Sequence, residues 1–253
     1  MILTVFKRGH LLREQLRRLA ASSLRPAAVW VWQTGAHTDV RPILREAYPS
    51  AALIQVTGHD FMYHGRFLPA LQAETQHLCI LDDDALPGRE YLASGLAELA
   101  RLGPRGAGGC DGRSAVYAGP RFSSFSYEHG DVDFPIHCYL FRTELARAFW
   151  ALPPYTFTNG EDIQFGAALQ IVARARMHVP PEARGEARGD TSDGTLGIDA
   201  VAAHKRKGHH EVRAELVRYW MSLGWRPRRA PGDAGAKASS GRGEEREEVG
   251  FLS

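Results

Sequence analysis

The sequence predicts an α/β fold with a mixed, mostly parallel sheet and helices on both faces, and two observations support this. Short apolar segments alternate with amphipathic segments through the first hundred residues, a pattern typical of parallel strands connected by helices. The fourth apolar segment, residues 78–81, leads directly into Asp82, Asp83 and Asp84. Because ligands of such sheets bind beyond the carboxyl ends of the strands, we expect the functional site there.

The first half of the chain shows four strand–helix units. We predict strands at residues 1–6, 28–33, 51–56 and 78–81, and helices at residues 11–19, 40–47, 65–76 and 90–102. The strands are short apolar runs, and the helices place apolar residues on one face. Lys7-Arg8-Gly9 follows the first strand in place of a G-x-G-x-x-G motif, which argues against a dinucleotide-binding Rossmann domain.

The second half is less regular. We predict strands at residues 106–113, 135–141 and 177–180, helices at residues 144–152, 161–174 and 211–223, and an aromatic-rich loop at residues 117–134. A polar, glycine-rich stretch at residues 185–208 predicts a mobile loop. Residues 1–225 therefore form a single predicted domain, followed by a disordered tail at residues 226–253, which is rich in Pro, Gly, Ser and charge.

Composition excludes several classes of partner. The formal net charge of the 253 residues is +2, so neither a polyanion nor nucleic acid is an expected partner. Cys79, Cys110 and Cys138 are widely spaced in mostly apolar contexts, which favours buried thiols in a reducing compartment. With no signal peptide and no transmembrane segment in the sequence, we expect a cytoplasmic protein.

The acidic triplet predicts a metal site. Strand alternation points Asp82 and Asp84 to the same side. Two converging carboxylates offer the oxygen ligands that Mg²⁺ and Mn²⁺ prefer, and such an ion usually bridges to substrate phosphates. The alternative is a solvated acidic turn.

A second acidic motif precedes the predicted helix at residues 161–174. With Asn159 as the N-cap, Asp162 occupies the position that reciprocates a cap, so Glu161 and Asp162 could simply stabilise the helix end. The functional alternative is a carboxylate held ionised by backbone N–H groups as a general base or hydrogen-bond acceptor.

Basic residues lie near both motifs. A late cluster includes His209, which could complete a metal site with Asp84, while its cationic neighbours could hold diphosphate oxygens. Arg66 and Arg8 lie close in sequence to the acidic strand and to the end of the first strand, respectively. Each of these groups could equally be a solvated surface charge. The late cluster comprises Lys205, Arg206, Lys207, His209, His210 and Arg213.

Taken in order, these motifs resemble glycosyltransferases of the GT-A fold, in particular family-two-like and exostosin-like (family 64-like) enzymes. The similar segments are residues 1–9, the opening nucleotide strand; Val29-Trp30-Val31-Trp32-Gln33; the D-x-D of Leu81-Asp82-Asp83-Asp84; Asn159-Gly160-Glu161-Asp162-Ile163; and the late H-x-x-x-R of His209 and Arg213. Gln33 and Thr34 replace the asparagines of exostosin-like chains.

The resemblance implies a metal-dependent transfer of a sugar from a nucleotide-diphosphate donor, with a UDP-sugar expected, to a glycan or other hydroxyl acceptor. Residues 1–103 would be the nucleotide-binding half, and residues 104–225 the acceptor half and closing loop. The implied metal is Mn²⁺ or Mg²⁺, on Asp84, Asp82 and His209. The implied catalytic residues are Asp162 and Glu161. The implied donor-binding residues are Thr4, Phe6, Arg8, Gln33, Arg66, Asp82, Asp83 and Arg213.

The resemblance leaves the stereochemistry open, because the two families differ. In an inverting enzyme Asp162 would deprotonate the acceptor hydroxyl; in a retaining one it would orient the acceptor or steady an oxocarbenium-like centre. The loop at residues 185–210 is predicted to order over the diphosphate. Four aromatic residues are expected to stack on acceptor sugars or to pack in the core: Phe122, Phe125, Tyr127 and Tyr155.

Two alternatives stay open. A haloacid-dehalogenase-type phosphatase would use Asp82 as nucleophile and Asp84 as acid. Such chains usually place this strand near the start and carry Thr or Val where this one has Leu86. A catalytically inactive relic that binds nucleotide or glycan would be marked by loss of a metal or base carboxylate, yet Asp82, Asp84 and Asp162 are all present.

Overall fold

The computed structural model describes residues 1–180, Leu196, Ala202 and residues 205–230. The strands are β1 (Ile2–Val5), β2 (Trp30–Thr34), β3 (Ala52–Val56), β4 (His77–Leu81), β5 (Gly106–Gly108), β6 (Asp111–Ala118), β7 (Arg121–Glu128), β8 (Gly130–Asp131), β9 (Phe134–Ile136), β10 (Cys138–Arg142) and β11 (Arg176–Val179). The helices are α1 (Gly9–Ala20), α2 (Arg41–Ala47), α3 (Tyr91–Leu102), α4 (Ala146–Trp150), α5 (Glu161–Ala173) and α6 (His209–Ser222), with 3₁₀ segments at Met62–Phe67, Pro69–Gln72 and Thr143–Leu145.

The predicted mostly parallel sheet is confirmed. Eight strands pair in the order β3-β2-β1-β4-β10-β5-β11-β8, and the first four are parallel to one another. Strand β10 then runs antiparallel between β4 and β5, with Cys138 opposite Leu81. The carboxyl ends of β1 and β4 therefore lie side by side, and the start of β10 lies beside the end of β4.

Both faces of this sheet are covered, as predicted. Leu78 and Ile80 of β4 pack in a cluster with α4 and α5, while Cys79 and Leu81 pack with α1, α2 and α3 on the opposite face. This division follows from the alternation of side chains along a strand. A third cluster joins α5 and α6 to the smaller sheet and contains Trp220.

The predicted aromatic loop at residues 117–134 is wrong. Strands β6 and β7 form an antiparallel hairpin that continues into β9 as a second, three-stranded sheet. Phe122 and Phe125 pack against the cluster of α5 and α6. Aromatic residues favour strands, and packing against helices supplies the stability that a lone hairpin lacks.

Three other predicted elements are interrupted. The helix at residues 65–76 is replaced by two 3₁₀ segments, Met62–Phe67 and Pro69–Gln72. Pro69 has no backbone N–H, so it cannot donate the hydrogen bond that would continue the first segment. The strand at residues 106–113 is divided between β5 and β6. The strand at residues 135–141 breaks at His137, whose φ is +62°.

The predicted tail and closing loop fall largely outside the described residues. Residues 226–230 are described, and the Arg228 N–H donates to Asp133 Oδ1 at 2.8 Å while Ala230 is buried. The predicted start of disorder at Arg226 is therefore too early. Residues 231–253 and most of residues 185–204 lie outside the described residues. In the parts that are described, no helix has the length and apolar character needed to cross a membrane.

Gly166 tests the packing of α5 on β9. A Cβ atom at this position would lie 2.2 Å from the Asp133 carbonyl oxygen, a backbone atom that no rotamer change can move. We expect Gly166→Ala to lower the free energy of unfolding by about 1–3 kcal/mol, measured by urea denaturation. Gly58→Ala is the control, since its Cβ would meet nothing within 4 Å. Equal stability of the two variants would contradict the placement of α5.

Candidate active site

The acidic triplet is held in place by backbone contacts at the end of β4. The Asp82 N–H donates to the His137 carbonyl at 3.0 Å. The fully buried Gln15 of α1 donates its amide N–H groups to the carbonyls of Asp82, at 2.7 Å, and Ala85, at 2.8 Å. A buried amide with such partners fixes a loop strongly, because breaking either bond leaves an unsatisfied polar group. The fold therefore fixes the position of the backbone that carries the three carboxylates.

Two arginines neutralise part of this charge. Arg8, just past β1, donates to Asp83 Oδ1 at 2.6 Å and to Asp84 Oδ2 at 3.0 Å. Arg66, from the first 3₁₀ segment, pairs with Asp82. The side chains of both arginines are only 10% exposed, so these ion pairs are poorly screened by water.

The three carboxyl groups differ in proton affinity. Burial raises the pKa of Asp82 to about 6 in spite of Arg66, and burial likewise raises the pKa of Asp83. Burial also acts on Asp84, but the charges of His137, Arg8 and Arg66 offset it and leave the pKa of that carboxyl below its usual value. Asp84 is therefore the triplet member most strongly held as an anion.

Arg66 also joins the two acidic motifs. Its Nη2 lies 3.8 Å from Glu161 Oε1, at the start of α5, while its Nη1 contacts Asp82. A separation of 3.8 Å is an ion-pair contact and too long for a hydrogen bond. Motifs far apart in sequence thus share one guanidinium group and form a single cluster.

The motif at residues 159–162 differs in detail from the predicted cap. The N-cap of α5 is Gly160, with φ +76° and no side-chain capping bond, so the prediction of Asn159 as N-cap is wrong. A side chain at Gly160 would collide with Leu216 of α6. Asn159 instead donates through Nδ2 to Nδ1 and the carbonyl of His209, at 3.2 and 3.3 Å.

Asp162 is fully engaged. Arg213 of α6 donates to its Oδ1 at 3.0 Å and to its Oδ2 at 2.8 Å, and the Ile163 N–H donates to Oδ1 at 2.8 Å. Burial opposes ionisation, but the Arg213 charge and these bonds outweigh it, so the pKa of Asp162 is below its usual value. This buried pair ties α6 to α5.

Glu161 has the opposite character. Burial raises the pKa of its carboxyl to about 7, with Arg66 opposing the shift. A carboxyl group that titrates near neutral pH is suited to accepting or donating a proton during a reaction. The two adjacent acids of the motif are therefore differentiated by their surroundings.

The structure brings His137, and not His209, to the predicted metal site. One ligand atom from each of Asp82, Asp84 and His137 lies within 4.8 Å of the others. His137 Nδ1 is 3.9 Å from Asp84 Oδ1. Burial lowers the pKa of His137, but the neighbouring aspartates raise it to about 9 overall. No motif in the sequence marks His137, because its approach to the triplet depends on the antiparallel pairing of β10 with β4.

The composition of this site fits a divalent cation. Among the described residues, three guanidinium groups and the His137 imidazolium lie near the five carboxyl groups of Asp82, Asp83, Asp84, Glu161 and Asp162, so carboxyl groups outnumber cations by one. Two carboxylates with one imidazole are acceptable ligands for Mn²⁺. The donor set therefore fits the metal that the sequence predicts.

The remaining predicted residues take varied positions. Thr4 Oγ1 donates to the Leu81 carbonyl at 3.3 Å, between β1 and β4, and the Phe6 ring meets His37 edge-on at 4.9 Å. Gln33 is fully buried: its amide donates to the Thr38 carbonyl at 2.7 Å and its oxygen accepts from Gln55. The side-chain amide of Gln33 is therefore hydrogen-bonded within the protein.

Comparison with solved structures identifies the fold. TarS 1–349 from S. aureus in complex with UDP superposes with a TM-score of 0.51 at 16% identity, over 72% of this chain and 57% of that chain. TarS 1–349 in complex with UDP-GlcNAc gives 0.50 at 17% identity, over 72% and 55%. The mannosyltransferase PcManGT from Pyrobaculum calidifontis, in complex with GDP-Man and Mn²⁺, gives 0.49 at 23% identity, over 72% and 54%.

The chain thus spans little more than half the length of these proteins. No protein-family model matches the sequence. No curated protein matches it either. The predicted GT-A fold is confirmed, and the phosphatase alternative is not favoured.

Mn²⁺ binding tests the identity of the histidine ligand. We expect His137→Ala to weaken Mn²⁺ binding by at least about tenfold, as removal of a group at a metal site does. His209→Ala should change it little, because His209 contacts Asn159. Titration followed by electron paramagnetic resonance of free Mn²⁺ measures both. If His209→Ala weakened Mn²⁺ binding more than His137→Ala did, the metal ligand would be His209, as the sequence predicted.

Unfolding experiments test the Asp162–Arg213 pair. Arg213→Met leaves a buried carboxylate without its partner, which should cost about 3–5 kcal/mol of stability in urea denaturation at pH 7. The exposed Arg218, on the same helix, is the control, and Arg218→Met should change stability by less than about 0.5 kcal/mol.

The same pair sets a pH dependence. Because folding lowers the pKa of Asp162, its stabilising effect is present above the unfolded pKa of about 3.9 and is lost as pH falls through the folded value. The difference in stability between wild type and Arg213→Met should therefore shrink below about pH 4. A difference that is independent of pH would contradict the ion pair.

Proposed function

We propose that this protein is a metal-dependent glycosyltransferase that moves a sugar from a nucleotide-diphosphate donor to a hydroxyl acceptor. One observation carries the proposal: Arg66 contacts both Asp82 and Glu161, which gathers the D-x-D and E-D motifs into one cluster beyond the carboxyl end of β4. This is the edge at which α/β sheets bind ligands. The GT-A fold is compatible with this proposal. The chain also has Asp82, Asp84 and Asp162 at the positions of the D-x-D and E-D motifs.

The donor would lie across the ends of β1 and β4. Arg8 and Arg66 supply cationic groups for diphosphate oxygens, and Thr4 and Phe6 lie on the strand that leads to Arg8. A UDP-sugar is the proposed donor, in keeping with the UDP and UDP-GlcNAc complexes of TarS. The free cysteines Cys79, Cys110 and Cys138, all buried, fit the reducing cytoplasm.

Asp82, Asp84 and His137 are the residues that would hold Mn²⁺ or Mg²⁺. Bound there, the ion would offset negative charge on the leaving diphosphate as a Lewis acid. Arg8 and Arg66 contribute to the same end from the protein, because each holds a positive charge beside the triplet in a site largely shielded from water.

Glu161 is the proposed general base. Its carboxylate takes the proton as the acceptor O–H bond breaks, the acceptor oxygen bonds to the anomeric carbon, and the bond from that carbon to the diphosphate breaks with both electrons leaving on oxygen. Asp162 was the residue expected to take this role, but both of its oxygens accept hydrogen bonds from Arg213. We assign Asp162 instead to fixing the start of α5, which orients Glu161.

Release of nucleotide from a donor tests the proposal without a known acceptor, since water can accept the sugar. Wild-type protein with Mn²⁺ should release UDP from at least one of UDP-glucose, UDP-galactose and UDP-GlcNAc. Glu161→Gln should lower this rate by at least about a hundredfold while leaving UDP binding intact. Glu211→Gln, an exposed acid on α6, is the control.

Two further measurements distinguish Glu161 from Asp162 as the general base. The rate should rise with pH through about 7, the pKa of Glu161, because only the ionised carboxylate accepts a proton. Asp162→Asn should chiefly lower stability. If Asp162→Asn loses the rate and Glu161→Gln retains it, the base is Asp162; no release from any nucleotide sugar, with the protein folded, would contradict the transferase.

A further inference from the structure

Three aromatic rings form an exposed cluster at the rim of the candidate site. The His59 and Phe61 ring centroids lie 4.5 Å apart, and those of Phe61 and Phe157 lie 5.9 Å apart. Phe61 immediately precedes the first 3₁₀ segment, and Phe157 lies between α4 and α5. We call these three residues the aromatic platform. It is built from segments far apart in the sequence, so the fold alone brings it together.

The platform is anchored from below. His64 is buried, and its Nδ1 lies 3.3 Å from the Phe157 carbonyl while its Nε2 lies 3.2 Å from Gln164 Oε1 on α5. The His64 ring also meets the Phe157 ring edge-on at 5.3 Å. These contacts fix the backbone of Phe157 relative to both the 3₁₀ segment and α5. A rigid aromatic surface costs little conformational entropy when a ligand binds.

The rings nevertheless face solvent. His59 is exposed, Phe61 is half-buried, and the Phe157 side chain is 38% exposed. The four aromatic residues that the sequence predicted for acceptor binding make other contacts. Phe122 and Phe125 pack in the core, the Tyr127 ring lies against Arg113, and the Tyr155 hydroxyl donates to Glu215. The platform therefore presents apolar ring surface to solvent, as Tyr127 and Tyr155 also do at 65% and 46% exposed.

The platform lies beside the proposed reacting groups. Residues 61–66 rise about 10 Å along the 3₁₀ axis to Arg66. Arg66 contacts Glu161 at 3.8 Å, and Glu161 lies only four residues after Phe157, which closes back on Phe61. The platform and Glu161 are therefore connected in two ways, through the segment that carries Arg66 and through residues 157–161.

The groups around the platform match a sugar in polarity. Asp60 is exposed next to Phe61, and the hydroxyls of Thr156 and Thr158 flank Phe157 and contact each other at 2.9 Å. Neither residues 59–61 nor residues 155–158 contain lysine or arginine. An aromatic face bordered by hydroxyl and carboxylate groups complements the apolar face and hydroxyl edge of an uncharged sugar ring.

We propose that His59, Phe61 and Phe157 form an acceptor subsite that stacks on the ring of a neutral sugar. The proposal rests on the proposed function, since it places the acceptor hydroxyl towards Glu161. It narrows the acceptor from any hydroxyl compound to a neutral glycan.

Saccharide binding to the full chain tests the subsite without the transfer reaction. The probes are glucose, galactose, mannose and N-acetylglucosamine, the β1,4-linked disaccharides cellobiose and lactose, and glucuronic acid as a charged comparison, observed by saturation-transfer-difference NMR. At least one neutral saccharide should bind, and Phe157→Ala should weaken it about three- to tenfold. Phe61→Ala should act in the same direction, and Phe157→Tyr, which keeps the ring, should bind as wild type does.

Leu71→Ala is the control variant, because Leu71 is an exposed apolar residue, at 44%, on the second 3₁₀ segment away from the platform. Binding of UDP with Mn²⁺ is measured on every variant. If UDP binds and Phe157→Ala leaves saccharide binding unchanged, or if no neutral saccharide binds to wild type, the subsite is wrong while the proposed function stands. If UDP does not bind to wild type, the proposed function itself fails.

Discussion

The candidate site depends on a buried guanidinium group shared between two acidic motifs. Arg66 lies between Asp82 at the end of β4 and Glu161 at the start of α5. Without it, two poorly solvated carboxylates would lie near each other with no cation between them, and unpaired buried charges are strongly unfavourable. The short 3₁₀ segment that carries Arg66 therefore matters to the site, and Phe61 of the aromatic platform immediately precedes it.

The same balance of charge explains how the neighbouring acids acquire different properties. Arg213 donates two hydrogen bonds to Asp162, which stays ionised. Glu161 has a longer contact with Arg66, and burial raises its pKa to about 7. The triplet is divided in a similar way: Arg8 pairs with Asp83 and Asp84, and Arg66 pairs with Asp82. Carboxyl groups still outnumber the cationic groups in the cluster, and a divalent cation on Asp82, Asp84 and His137 would offset their negative charge.

The sequence predicted the parallel half of the sheet and the acidic strand because both depend on local patterns: apolar runs of the right length, helical spacing and a sharp change from Leu81 to Asp82. The position of His137 depends on the pairing of β10 with β4 and on a left-handed backbone, which no local pattern encodes. The hairpin of β6 and β7 was missed because its serines and aromatics resemble a loop until α5 and α6 cover one face. The Asp162–Arg213 pair was hidden in the same way, since it joins two helices.

Calorimetric binding of nucleotides tests the central claim most directly. UDP, GDP, CMP and dTDP are titrated with and without Mn²⁺ into wild type and Asp84→Asn. The account predicts tight binding of one nucleoside diphosphate that requires both the ion and Asp84. Binding of no nucleotide under any condition by the folded protein, or binding that is indifferent to both Mn²⁺ and Asp84, would contradict a metal-dependent nucleotide-sugar site at the end of β4.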